Sequence, residues 1–539
     1  MVLHAAPKGD AHLPDRAVER ARGGNKFEKL KLQKDGSAMW TEIHELAAIL
    51  RDGNTSWDAI DADDIDIRLK WAGLFHRRKR TPGRFMMRLK VPNGILSSQQ
   101  LRFFATCLRP YGPHGCGDVT TRMNIQLRGV LLEHAAQICD GLYQLGLTSF
   151  MSGMDNVRNL VGSPLAGIDP LEMVDTRQLC HDINDMITDS RKGRPQLTNL
   201  PRKFNIAVSG SRDDFAHTHI NDIGLVPMAH PQTAHIGFNV VIGGFFSIKR
   251  DAEALPMDVW LPQSDVVRFC ETVLLWFRDH GDRKNRQATR LMYMVDQLGM
   301  KTFRDQIESA MGAPLQRAVK GGPEYDQPAE RRNVLGVHPQ KQPGLSWVAA
   351  CVPAGRLETA DFDAIAHIAD KYSNGEVRLT VEQNILFPNV PNERVQQMLA
   401  EHLFERFSVA PGRIMGNLVS CTGAQFCGLA LIETKNRAIS LAEELEKVVH
   451  VPRDVRIHWT GCPNSCGQVQ VADIGLMGCP AKKDGKAVEG VKIFVGGKIG
   501  EGAELGEKVA DRIPATKEDL IPKLVDILVD QFGGVRKDT

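Results

Sequence analysis

Two stretches of the chain carry the same pattern of apolar and polar positions. MMRLKVPNGILSSQQLRFFATCLRPYG over 86–112 and WVAACVPAGRLETADFDAIAHIADKYS over 347–373 each open on a strand-like run, break at Val-Pro-x-Gly and continue with helical spacing. Each predicts a strand, a turn and an amphipathic helix. Tyr111 and Tyr372 stand at the same distance from their respective turns. A second strand is expected after each helix, in DVTTRMNIQLRGV (118–130) and EVRLTVEQNILFPNV (376–390). The echo continues further on. INDIGLV (220–226) matches VADIGLM (471–477), and FNVVIGG (238–244) matches KIFVGGK (492–498). Two copies define a pseudo-dimer rather than a solenoid. The expected fold class is α+β, internally duplicated, each half containing a small strand–helix–strand unit and a larger α+β unit. Two similar halves create one central cleft, a usual place for a large ligand.

Composition narrows this picture little. A chain of 539 residues exceeds one hydrophobic core, and 42% hydrophobic with 24% charged residues is ordinary for a globular protein. The longest apolar run, FNVVIGGFFSI at 238–248, is too short to span a membrane, and its paired glycines predict a buried strand and a bend. A formal net charge of +2 does not advertise nucleic-acid binding. Eleven cysteines in so long a chain point to reduced thiols rather than a disulfide framework. The N-terminal segment lacks the apolar core of a secretory signal and is too acidic for a transit peptide.

The halves differ in their chemistry. Only the second has four paired cysteines, Cys421 and Cys427 in CTGAQFC, then Cys462 and Cys466 in TGCPNSC. Four thiolates suit a tetrahedral zinc or an iron–sulfur cube. Structural zinc clips are usually tighter than C-x5-C, so the spacing favours the cube; four unrelated core cysteines are the bland alternative. Gly423, Gly428, Gly461 and Gly467 beside them are expected to let a bulky inorganic group approach the backbone. Only the first half has a dense basic set: Arg88, Arg122, Arg128, Arg158, Arg202 and Lys203. A single Arg is usually a solvated surface residue. Lys203-Phe204-Asn205 has period-two spacing, which on a strand sends both polar side chains to one face.

CTGAQFC, HWTGCPNSCGQVQVADIGLMG and FVGG resemble the ferredoxin-dependent nitrite reductases of plants, algae and cyanobacteria, within the nitrite and sulfite reductase family. The resemblance runs from KFEKLK at 26 to DILVDQFG near 533. It implies two ferredoxin-like half-domains, at 66–145 and 326–405. Two larger domains would bind the cofactors, at 146–325 and 406–539, behind an N-terminal extension over 1–65. The implied cofactors are a sirohaem and a [4Fe–4S] cluster held by Cys421, Cys427, Cys462 and Cys466, with Cys466 bridging to the haem iron. Sirohaem carries eight carboxylates and nitrite is an anion, which gives the basic set a purpose, because buried anions need paired cations. Carried over by position, Arg88, Arg158, Lys203 and Asn205 form the catalytic anion site. Arg122, Gln126, Arg128, Arg202 and Asn464 contact the haem periphery. Met123 departs from the family, which commonly has Gln there.

The implied reaction is the six-electron reduction of nitrite to ammonium. The related sulfite reductases have a second lysine at the position of Asn205. An amide there lowers the positive charge by one and suits the monoanion, so sulfite reduction is the alternative. GGKIGEGAELG (496–506) lacks the spacing of a nicotinamide fingerprint, so electrons are expected from an outside protein, a reduced plant-type ferredoxin. Candidate docking charges are Lys482, Lys483 and Lys486, and Arg77, Arg78, Lys79 and Arg80; either group is more often a solvated loop. A monomer with no nucleic-acid or membrane partner is expected, in the chloroplast stroma or a cyanobacterial cytoplasm.

Overall fold

The computed structural model describes residues 8–77, 80–320, 329 and 332–537. The two Val-Pro-x-Gly units form equivalent tight turns. Asn93 and Ala354 take φ of 55° and 49°, and Gly94 and Gly355 follow at 68° and 70°. Besides the left-handed backbone, which favours glycine, there is no room for a side chain. A Cβ on Gly94 would come within 2.9 Å of Met123, and one on Gly355 within 2.7 Å of Gln383. The helices behind the turns, Ser98–Leu108 and Thr359–Tyr372, both begin with capping boxes, Ser97 with Gln100 and Glu358 with Asp361.

The expected second strands are hairpins. Cys116–Val119 and Ile125–Leu131 pair antiparallel, as do Glu376–Leu379 and Ile385–Pro391. The breaks come at Thr120–Asn124 and Thr380–Asn384. Met123 and Gln383 turn left-handed there, and their amides donate to the carbonyls of Thr120 and Thr380. Arg122 therefore sits on a tip, and local side-chain bonds from Thr120 and Asn124 outcompete a continuous strand.

The halves exchange strands. One sheet runs Leu74–Arg77, Thr81–Arg88, Ile125–Leu131, Cys116–Val119 and then Arg356–Glu358 from the other half. Its counterpart runs Gly336–Pro339, Leu345–Ala350, Ile385–Pro391, Glu376–Leu379 and then Ile95–Ser97. In one, Leu357 lies opposite Gly117; in the other, Leu96 lies opposite Val377. The paired helices cross with Phe104 edge-on to Phe362, centroids 5.9 Å apart. One hydrophobic core runs through both small units.

Each larger unit has its own core and its own mixed sheet. The first orders Ile206–Val208, Ile223–Ala229, Ile236–Ile242 and Leu255–Pro262, and Gly243 makes the expected bend after Ile242. The second orders Leu418–Ser420, Ile457–Thr460, Ile474–Lys483, Lys486–Val495 and Glu507–Pro514. Its first three strands are parallel. In the first unit, parallel bridges from Val157 to Phe204 and from Val161 to Ala207 occupy the place of the outermost strand. Among the described residues no helix is long and apolar enough to cross a membrane.

Candidate active site

Cys421 follows the strand Leu418–Ser420 and Cys462 follows its parallel neighbour Ile457–Thr460. Ligands commonly bind at such carboxyl ends of parallel strands. Cys421, Cys427, Cys462 and Cys466 line one cavity with about 1060 Å3 of empty space, its opening to solvent included, to which the first half contributes Arg88, Arg122, Gln126, Arg128 and Arg158. A second cavity, with about 570 Å3 of empty space including its opening to solvent, is lined by residues that include Lys203, Asn205, His217, Arg290 and Asn464. Thr121, Arg122 and Cys466 line both. Cys466 is exposed, toward this shared space.

Backbone and amide donors reach the thiols. The N–H of Gly461 donates to Cys421 Sγ at 3.1 Å, and Asn464 Nδ2 donates to Cys462 Sγ at 3.4 Å. Such bonds tune cluster potentials. Burial pushes the Cys421 thiol up to about 11, and Cys466 nearby adds to it. These thiols must lose protons to a metal centre before they ligate, so loading releases protons. Among the described residues no three His, Cys, Asp or Glu side chains are gathered around one point as for a single ion. Four soft donors spread over a cavity of this size fit a cube.

Two of the cations are held by carbonyl oxygens. Arg88 and Arg158 both donate to the carbonyl of Ser152, at 3.3 and 2.6 Å, and Arg158 also donates to that of Met154 at 2.8 Å. Arg88 stacks on Phe75 at 4.5 Å. Burial, then repulsion from Arg122, brings Arg88 down to about 9. Burial, then Arg88 and Arg122, depresses Arg158, and burial, then Arg290 and Arg122, depresses Lys203. Asn205 is buried, and its Oδ1 has no hydrogen-bond partner among the described residues. Two adjoining cavities lined by mutually repelling cations fit a polyanionic guest.

The period-two reading of Lys203 and Asn205 is realised. Both line the second cavity, while Phe204 points into the core. The peripheral residues separate into groups. Arg122 faces both cavities and Asn464 the second. Gln126 accepts from Arg128 at 3.0 Å. Arg128 is committed to Asp118 at 2.5 Å and to Thr422 at 2.6 Å, and it stacks on Phe426 at 4.8 Å, so it braces the Cys421–Cys427 loop. Arg202 lines neither cavity and turns back to the carbonyl of Arg286. The glycine reading needs correcting at three of its four positions, since a Cβ on Gly428 would meet only Arg77, at 3.8 Å. Cβ positions on Gly423, Gly461 and Gly467 fall within 2.5, 2.8 and 2.1 Å of Thr434, Ala430 and Trp459, so protein atoms fill those spaces and the glycines permit chain crossings.

Several residues escape sequence reasoning. Asp118 is buried and draws in Arg128, Arg356 and Lys435, the last at 3.6 Å. Burial opposes its ionisation, but the three cations outweigh burial and hold its carboxyl well below the usual range. Arg290 grips Asp222 with two bonds, and Asp222 accepts the amide of Asn205 at 2.8 Å. A signal for Asp222 was present, because the INDIGLV/VADIGLM echo pairs it with Asp473, which accepts the amide of Arg456 at 2.9 Å. Gln383 stands in the second hairpin where Met123 stands in the first. It bonds Val119 and both backbone groups of Ser420, next to Cys421. At the Met123 site, Asn159 supplies polar links to Val91 and Arg122.

Of the docking candidates, Arg77 lines the cysteine cavity, and Arg80 is exposed. Arg78 and Lys79 lie outside the described residues. Lys482 and Lys486 are exposed at a hairpin tip, and Lys483 is paired with Asp519 at 2.6 Å.

The family model described as the nitrite and sulphite reductase 4Fe-4S domain matches residues 153–315 and 412–539. That described as the nitrite/sulfite reductase ferredoxin-like half domain matches 77–145 and 338–403. The chain belongs to the nitrite and sulfite reductase family. It is 51% identical to a chloroplastic ferredoxin–nitrite reductase of Zea mays over 96% of this chain and 92% of the relative. It is likewise 51% identical to a ferredoxin–nitrite reductase of Synechococcus elongatus, over 94% and 97%. The solved structure of Mycobacterium tuberculosis NirA protein superposes with a TM-score of 0.84 at 27% identity, covering 94% of this chain and 93% of that one.

Proposed function

We propose that this chain reduces nitrite to ammonium with electrons from reduced ferredoxin, and that it holds a sirohaem coupled to a [4Fe–4S] cluster. The observation that carries the reading is Cys466, one thiol lining both the cysteine cavity and the cation cavity. Cys421, Cys427, Cys462 and Cys466 would hold the cluster, and Arg122, Gln126 and Asn464 would border the sirohaem. When bound, the pair would supply one-electron storage and an iron able to bind nitrite.

The chain's own residues bind the anion and manage protons. Arg88 and Arg158 are anchored on one carbonyl and present fixed N–H donors to oxygen as charge develops on it. Lys203 sits where burial lowers its proton affinity, so Nζ gives up a proton more readily than a surface lysine. The net reaction takes up eight protons and six electrons and yields ammonium and two waters, so Nζ must be reprotonated repeatedly. Asn205 contributes an amide without charge. Nitrite is a monoanion and sulfite a dianion near neutral pH, and this difference favours nitrite over the sulfite alternative.

Ferredoxin docks, in this reading, on the face at Arg77. Its side chain lies 3.8 Å from the Cβ position of Gly428, next to Cys427. Leu429 and Leu431 stand 62% and 48% exposed on the same loop. Lys482 lies four residues up its strand from Gly478, which touches Gly461, hence roughly 13 Å further out. The plant and cyanobacterial relatives favour a plastid or a cyanobacterial cytoplasm, and the chain is taken to act as a monomer. Absorption spectra with iron and sulfide analysis, and turnover of nitrite against sulfite with a viologen donor, test the proposal. A colourless protein, or faster turnover of sulfite, would overturn it.

A further inference from the structure

Arg158, Lys203 and Asn205 sit on two segments that run side by side. The amide of Leu200 donates to the carbonyl of Asp155, that of Phe204 to Asn156, and that of Arg158 to Phe204. This ribbon begins irregularly, with Met151 and Met154 at φ of 58° and 52°. Its backbone ladder alone is a weak constraint on where Arg158 and Lys203 point.

A third element closes it. The helix Lys26–Gln33, capped by the Asn25 side chain, buries Glu28 and Lys31 completely. Lys31 Nζ donates to Asp155 Oδ2 at 3.2 Å and to the carbonyl of Leu200 at 3.0 Å, so one ammonium touches both segments. Glu28 holds Lys31 at 2.6 Å and Arg283 at 2.5 Å, and Arg283 donates to the carbonyl of Asn199 at 2.8 Å. Arg286 clasps Asp155 with bonds of 2.7 and 2.8 Å and stacks on Phe27 at 4.5 Å. An ammonium costs much to bury and is kept there only where several acceptors fix it.

We propose that Lys31, acting through Asp155 and Leu200, is a positioning residue of the anion site, and that the N-terminal helix is a working part of that site. The inference rests on the reading of Arg158, Lys203 and Asn205 as the anion site. Small displacements of positioning groups cost large factors in rate. The long arm of Lys31 sets the spacing between the two segments, and a neutral side chain would leave Asp155 short of a partner and the Leu200 carbonyl unbonded.

The test uses the holoenzyme with full cofactor content. Lys31→Met should raise hydrogen exchange at the amides of Arg158, Leu200 and Phe204 by about tenfold, with the strand Ile223–Ala229 unchanged. It should raise KM for nitrite about tenfold with a smaller change in kcat, and weaken nitrite binding followed by the absorption spectrum. Lys31→Arg should restore most of both. Arg16→Ala breaks the 3.0 Å bridge to Asp279 on the same N-terminal region and should change neither. A Lys31→Met protein with lower Tm but wild-type exchange at those amides and wild-type nitrite affinity would overturn the inference. Should Lys31→Met fail to fold, Glu28→Gln removes the charge that holds Lys31. It should move both readouts in the same direction, and no movement overturns the inference equally. A wild-type protein that does not bind nitrite would refute the nitrite reading instead, while the exchange data would still decide the role of Lys31.

Discussion

On the proposed function, substrate choice is concentrated at Asn205. Its Oδ1 is buried without a partner among the described residues, in a wall it shares with Lys203 and Arg290. Asn205→Lys adds a positive charge there, so the ratio of sulfite to nitrite turnover, measured with one viologen donor, should rise several-fold while kcat/KM for nitrite falls. An unchanged ratio with both cofactors loaded would remove Asn205 from this role. Asp118 governs acid stability. Its folded carboxyl titrates far below the unfolded value of about 3.9, so its contribution is complete above about pH 5 and is lost as pH falls. Asp118→Asn should therefore lower Tm most at pH 6, and the gap to the wild type should narrow toward pH 3. A gap that stays constant over that range would show that the three cations are not held by this charge.

Elements were legible in the sequence to the extent that local patterning dictates them. The paired turns, the helices behind them and the bend after Ile242 all follow from Pro-x-Gly, apolar spacing and paired glycines. The hairpins at Thr120–Asn124 and Thr380–Asn384 were hidden because alternation continues across them, and the break is made by side-chain bonds that a period does not record. The strand exchange was equally hidden, because a three-residue strand such as Ile95–Ser97 says nothing about which sheet it joins. In the site, the cysteines and basic residues were readable by spacing and by family resemblance. Arg290 and Asp118 were not, because they act through partners distant in sequence, and Asp222 left only the aspartate shared by the INDIGLV and VADIGLM echo. The shared core has a measurable consequence. Phe104→Ala or Phe362→Ala should each cost about 3–5 kcal/mol. Unfolding of the two small units should stay a single transition, because neither sheet is complete without the other half. Two separated transitions would show that the exchange does not couple them.

At the scale of the whole molecule, the cysteine loop reaches the surface beside Arg77, Leu429 and Leu431, which is where the proposed function places ferredoxin. Arg77→Gln with Leu429→Ser should raise KM for ferredoxin several-fold and flatten its salt dependence, while viologen-driven activity survives. Lys482→Gln with Lys486→Gln should do less. If the hairpin pair produces the larger ferredoxin effect, the partner docks on the hairpin instead. The exchanged strand also bears on how the chain is made. Arg356 and the Asp118 it clasps are 238 residues apart. A ribosome adding about 5–20 residues per second needs on the order of 10–50 s to cover that distance. Throughout that interval the edge Cys116–Val119 stands unpaired in the nascent chain, a template for any passing strand. The chain thus has a built-in period of vulnerability during its synthesis, and its yield in a cell should depend on translation speed and chaperone supply more than the stability of the finished fold would indicate.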